Sequence, residues 1–102
     1  MLAKAIHFIR EHACDEISVS DVVQHVNTSR STLERAFRIH FGHSPQTEIR
    51  QVRLKRVKQL LEETELSIPQ IAEIAGFKHP EYLTTQFKRL TGKTTSQWRE
   101  SH

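Results

Sequence analysis

Arg30, Ser31, Glu34, Arg35 and Arg38 recur three and four residues apart, so a helix through them carries all five along one side. Each has chemistry suited to the edge of a base pair. The arginine fork matches the two acceptors of guanine, a carboxylate accepts from the amino group of cytosine, and a hydroxyl serves either partner. Leu33, Phe37 and Phe41 form the apolar stripe of the same helix. Some fifty residues later, His79, Pro80, Glu81, Thr84, Thr85 and Lys88 flank a second stripe of Leu83, Phe87 and Leu90. That face has no arginine in its reading half. Threonine can touch the thymine methyl or a phosphate, so it reads as a weaker, shape-based head. A solvated helix face has the same composition, and this plain alternative stands for both sets, more strongly for the second.

The elements that must hold these faces occur in two copies. Ile17, Val19, Val22, Val23 and Val26 are answered by Leu66, Ile68, Ile71, Ala72 and Ala75, each 49 residues on. After a slip of one, Leu33, Phe37 and Gly42 are answered by Leu83, Phe87 and Gly92. Each copy predicts a short helix, a tight turn and a longer helix closed by glycine, which is helix-turn-helix shape. In the first copy Ser20 is placed to cap the short helix over a buried face of Val22, Val23 and Val26. Asn27 and Thr28 break it, and Ser29 caps the helix that follows. In the second, Ser67 and Pro69 start the short helix, Gly76 turns it, and Pro80 opens the long one.

Ser44 and Pro45 start a connecting helix that meets neither glycine nor proline before about Thr64. Ile49, Val52, Val57, Leu60 and Leu61 mark its buried side. Arg50, Arg53, Lys55, Arg56 and Lys58 make much of the rest basic, more simply a solvated face than a phosphate site. Its C-terminal end carries Glu62, Glu63 and Glu65, which the helix dipole disfavours. About 20 residues span roughly 30 Å, close to the roughly 34 Å between successive major-groove faces of B-DNA. A helix precedes the first copy through Leu2, Ala5, Ile6, Ile9 and Ala13, and a short one with Trp98 as a core plug follows the second. No segment alternates with period two. The expected fold is all-α: seven helices in two helix-turn-helix lobes, 1–43 and 65–102, joined by a linker helix, 44–64.

Fifteen Lys and Arg against twelve Asp and Glu leave a formal charge of +3, which permits a polyanionic partner without requiring one. The single Cys14 cannot form an internal disulfide and reads as a small buried residue in a reducing compartment. Seven histidines include His40 and His43 around Gly42, and His7 four residues from Glu11, but no third ligand lies at a fixed spacing. No metal or cofactor is expected. With no nucleotide loop, nucleophile elbow or paired carboxylates, an enzyme is not expected either. No apolar run reaches membrane-spanning length, so the expectation is a soluble, cytoplasmic protein. A helix beginning almost at residue 1 suggests a fragment cut at a domain boundary.

Residues 66–99, LSIPQIAEIAGFKHPEYLTTQFKRLTGKTTSQWR, resemble the signature region of AraC/XylS-type transcription regulators. The most specific parts are Gly76–Phe77, the run 87–89 (FKR), and Gly92 with Thr94 leading to Trp98–Arg99. VRLKRVKQLL, 52–61, resembles the family's linker helix, and SRSTLERAFRIHFGHSP, 29–45, its first reading helix. The start, HFIREHACDEISVSDV, is similar to the branch that regulates xylose use. The resemblance implies two helix-turn-helix units on consecutive major grooves of an operator. Ser31, Glu34 and Arg35 take the first groove, and Pro80, Glu81, Thr84 and Thr85 the second. It also implies a missing N-terminal effector-binding domain and contact with RNA polymerase by the full activator. Thr95 stands where the family usually has proline, and Pro80 where many members have a polar residue. Against this stands a helical protein-interaction module with an incidental basic face.

Overall fold

The computed structural model describes residues 1–102 and contains seven α-helices: α1 Leu2–His12, α2 Val19–Val26, α3 Arg30–Phe41, α4 Pro45–Glu63, α5 Ile68–Ala75, α6 Pro80–Thr91 and α7 Thr95–Ser101. A 3₁₀ turn, Ala13–Asp15, follows α1. The chain divides into two compact units, Met1–Val52 and Arg53–His102, with the boundary inside α4.

The first unit packs α1, α2, α3 and the start of α4 around Ala5, Ile6, Ile9, Val22, Leu33, Phe37 and Ile49. Local chemistry fixes its helix ends. The α2 cap is Ser18, not the expected Ser20: Ser18 and Asp21 form a reciprocal capping box, with Ser18 N–H donating to the Asp21 carboxylate at 2.8 Å. Ser18 has the extended backbone a cap needs, whereas Ser20 already lies inside the helix. Asn27 ends α2 in the left-handed region, φ 54°, and Thr28 N–H reaches back to the Val23 carbonyl. Ser29 accepts from Thr32 N–H and starts α3. The turn into α4 is held by Ser44, which accepts from Thr47 N–H, and by His43, hydrogen-bonded to the largely buried Glu48 carboxylate at 2.7 Å.

The second unit repeats these devices. Ser67 and Gln70 form the capping box of α5, Gly76 takes the left-handed position held by Asn27, and Phe77 N–H donates to the Ala72 carbonyl. The repeat extends further than the expected pattern. Thr94 caps α7 fifty residues after Ser44, and Thr95 is buried where the first copy has the fully buried Pro45. The core holds Leu54, Val57, Leu60, Leu61, Ile71, Ala72, Ala75, Phe77, Leu83 and Phe87, with Trp98 packed edge-on to Phe87.

Several expected core positions differ. Phe41 is 40% and Leu90 55% exposed, each in the last turn of its helix. Val23 and Val26 are half-buried, and so is Cys14, in the 3₁₀ turn. The linker helix has no single apolar side. Ile49 belongs to the first core, whereas Leu54, Val57, Leu60 and Leu61 belong to the second.

One of the glutamates at the end of α4, Glu62, also acquires a partner. Trp98 Nε1 donates to Glu62 at 2.9 Å. Arg99 donates from Nε to the Leu61 carbonyl and from Nη2 to that of Thr64. The cation wanted at this C-terminus is supplied by α7 rather than by α4 itself. Lys58 lies over the Trp98 ring, 5.2 Å from its centre, closing the same corner.

Candidate nucleic-acid interface

In the first unit, α2 and the left-handed Asn27 turn set α3 so that Leu33 and Phe37 are fully buried. Arg30, Ser31, Arg35 and Arg38 are exposed, and Glu34 is partly so. The five polar residues thus share the outward side, as their spacing requires. They are not equivalent. Arg30 Nε donates to Glu34 Oε1 at 3.3 Å, an ion pair one turn apart. Arg35 and Arg38 carry no ion pair within the protein. They are the arginines free to meet an outside acceptor, by two parallel hydrogen bonds to guanine or by charge to a phosphate.

In the second unit, Leu83 and Phe87 are fully buried, and Glu81, Thr84, Thr85 and Lys88 are exposed. His79 is the N-cap residue of α6 but makes no side-chain cap, and Pro80 is the first helical residue. Proline suits that position because its missing N–H has no partner there in any helix. Thr84 donates its hydroxyl to the Glu81 carbonyl at 2.9 Å, which leaves its methyl and lone pairs for outside contact. Thr84, Thr85 and Lys88 also line an open cleft of about 510 Å³ with Arg89, Thr94 and Thr95. Arg89 was not among the expected site residues. Its signal in the sequence was adjacency to Lys88 within the run 87–89, but only the packing of α7 beside α6 brings it to the cleft.

The histidines make a different set of contacts. His7 pairs with Glu11 at 2.9 Å and His12 with Asp15 at 3.0 Å, both on exposed surface. His25 stacks on Phe8 with ring centres 4.2 Å apart. No three His, Cys, Asp or Glu side chains are grouped to hold one ion.

Two helix-turn-helix units, each turning the polar side of its longer helix outward, define a double-headed helix-turn-helix domain. The helix-turn-helix domain family matches residues 22–101, and the chain belongs to this family, in its AraC-type form. It is 34% identical over 99 residues to the xylose operon regulatory protein of Haemophilus influenzae, covering 97% of this chain and 26% of that protein. The chain therefore spans about a quarter of that relative's length. The structure of the xylose-binding transcription activator xylR overlays with a TM-score of 0.84 at 34% identity, covering 96% of this chain and 26% of the other. The DNA-binding domain of AdpA, a global transcriptional factor solved in complex with a target DNA, overlays with a TM-score of 0.92 at 27% identity, covering 98% and 90%.

Proposed function

We propose that this domain binds double-stranded DNA sequence-specifically and regulates transcription of a carbohydrate-use operon. In this reading α3 and α6 each enter a major groove, on successive turns of one operator. The observation that carries it is the face of α3: Ser31, Arg35 and Arg38 stand exposed opposite the buried Leu33 and Phe37, on the second helix of a helix-turn-helix. An unpaired arginine there meets guanine or phosphate without first losing a partner. The relatives named for xylose-operon regulation support the operon class, and the DNA-bound AdpA domain supports the kind of ligand.

Arg30, Ser31, Glu34, Arg35 and Arg38 make the first reading set in this proposal. His79, Pro80, Glu81, Thr84, Thr85 and Lys88 make the second, with Pro80 shaping the helix start rather than bonding to a base. The full regulator adds an N-terminal effector-binding domain, engages RNA polymerase as an activator and works in the cytoplasm. No helix of this chain is long and apolar enough to cross a membrane. The test is in vitro selection from a randomised duplex library, followed by affinity measurement on the selected duplex with and without competitor DNA. Enrichment of a defined sequence whose binding survives excess competitor is the expected result. Failure to enrich any sequence sinks the proposal and favours a protein-interaction module.

A further inference from the structure

Arg30 is the first residue of α3, at the end where the helix dipole disfavours a cation. No acidic residue lies in that first turn to offset it. Its ion pair runs Arg30 to Glu34, the less favourable order for two residues four apart on a helix. The second copy shows the helix-stabilising choice at the same places. Pro80 stands fifty residues after Arg30, Glu81 supplies the acid of the first turn, and Thr84 replaces Glu34. Helix stability therefore does not account for Arg30 and Glu34.

A lone carboxylate on a DNA-reading face faces two difficulties. Phosphates repel it, and a freely rotating side chain loses conformational freedom on docking. Both are met by what Arg30 does. We infer that Arg30 is a positioning residue for Glu34: it neutralises the carboxylate and fixes it by Oε1, leaving Oε2 to accept from the exocyclic amino group of a cytosine in the major groove. The side chains are 61% and 43% exposed, so the pair is open to a ligand as it stands. This rests on α3 being a reading helix, and it divides the face. Glu34, held by Arg30, selects one base, while Arg35 and Arg38 act independently.

The test runs the same randomised-duplex selection with the wild-type chain, Arg30→Gln, Arg30→Lys, Glu34→Gln and the Arg30→Gln/Glu34→Gln double variant. The wild type should require cytosine at one base pair. Glu34→Gln should lower that discrimination about tenfold, and Arg30→Gln should lower it at the same base pair and no other. The double variant should be no worse than either single one, and Arg30→Lys, which keeps the charge, should restore part of the discrimination. Melting temperatures should stay within a few degrees of wild type, because an exposed pair one turn apart contributes little to stability. A loss of discrimination at that base pair therefore reports on the reading face and not on unfolding. If Arg30→Gln leaves the cytosine preference intact while Glu34→Gln erases it, the positioning role is overturned. The same holds if Arg30→Gln alters a different base pair. A wild-type chain that selects no sequence overturns the reading of α3 itself, a result distinct from either.

Discussion

Arg35 and Arg38 face solvent without an internal partner, whereas Arg30 is tied along the helix to Glu34. That difference ranks the residues of the first head. Arg35→Ala should cost about 1–3 kcal/mol on the selected duplex and relax preference at one or two base pairs. In the second head the Thr84 O–H is already donated to the Glu81 carbonyl, so Thr84→Ala removes a methyl contact and an acceptor but no free donor. It and Thr85→Ala should weaken binding less than Arg35→Ala and leave sequence preference nearly unchanged. Lys88→Ala should weaken selected and scrambled duplexes alike and reduce the salt slope by about one. Affinities of the four variants on both duplexes check this. If Thr84→Ala erases specificity and Arg35→Ala does not, the second head is the main reader.

At the scale of elements, short helices depend on how their ends are closed, because each leaves several backbone groups without an intrahelical partner. Gly42 and Gly92 end the two reading helices at φ 74° and 79°, and a Cβ added at either position meets no atom within 4 Å. Gly42→Ala and Gly92→Ala should therefore isolate the backbone strain alone, about 1–2 kcal/mol each. Chemical denaturation should show them near equal, although they lie in different units. Arg99 closes a helix end at long range. Arg99→Ala removes donors from the Leu61 and Thr64 carbonyls and should destabilise by about 1–3 kcal/mol. Amide hydrogen exchange should rise in the second unit and leave α1 to α3 protected. Equal loss of protection in both units would refute this account of α4.

Charge is unevenly divided over the whole molecule. In Met1–Val52 six Lys and Arg balance six Asp and Glu, while Arg53–His102 has nine against six, which is the entire +3. The net cationic charge therefore lies in the second unit, whereas the arginines of the proposed reading face lie in the first. Binding should fall with salt at about 0.9 log units per log unit for each phosphate neutralised, and an affinity that is flat between low and moderate ionic strength would contradict it. Sugars should act differently. A sugar site needs convergent polar groups in an enclosed pocket, and the polar cleft along α6 and α7 is open. Titrating pentoses should shift neither melting temperature nor DNA affinity. A saturable shift would place a sensing site within these 102 residues.

The sequence alone determined whatever local rules govern. Ser29, Ser44 and Ser67 before helices, Pro80 inside one, and Gly42, Gly76 and Gly92 after others are stop and start signals acting over one turn, so seven helices were legible. The 49-residue echo of apolar positions revealed two like units, and three- and four-residue spacing put Arg30, Ser31, Glu34, Arg35 and Arg38 on one face. Tertiary structure decided what depends on neighbours far along the chain. Phe41 and Leu90 continue their stripes by three- and four-residue spacing, yet they are exposed, because spacing sets the side of a helix a residue lies on and not whether a neighbour covers it. Arg99 finds its acceptors 35 and 38 residues away, a pairing no local pattern encodes. α4 looks like one amphipathic helix in sequence, but its apolar residues are shared between two cores. Spacing shows which residues share a face; only packing shows what covers it and which charges on it remain free.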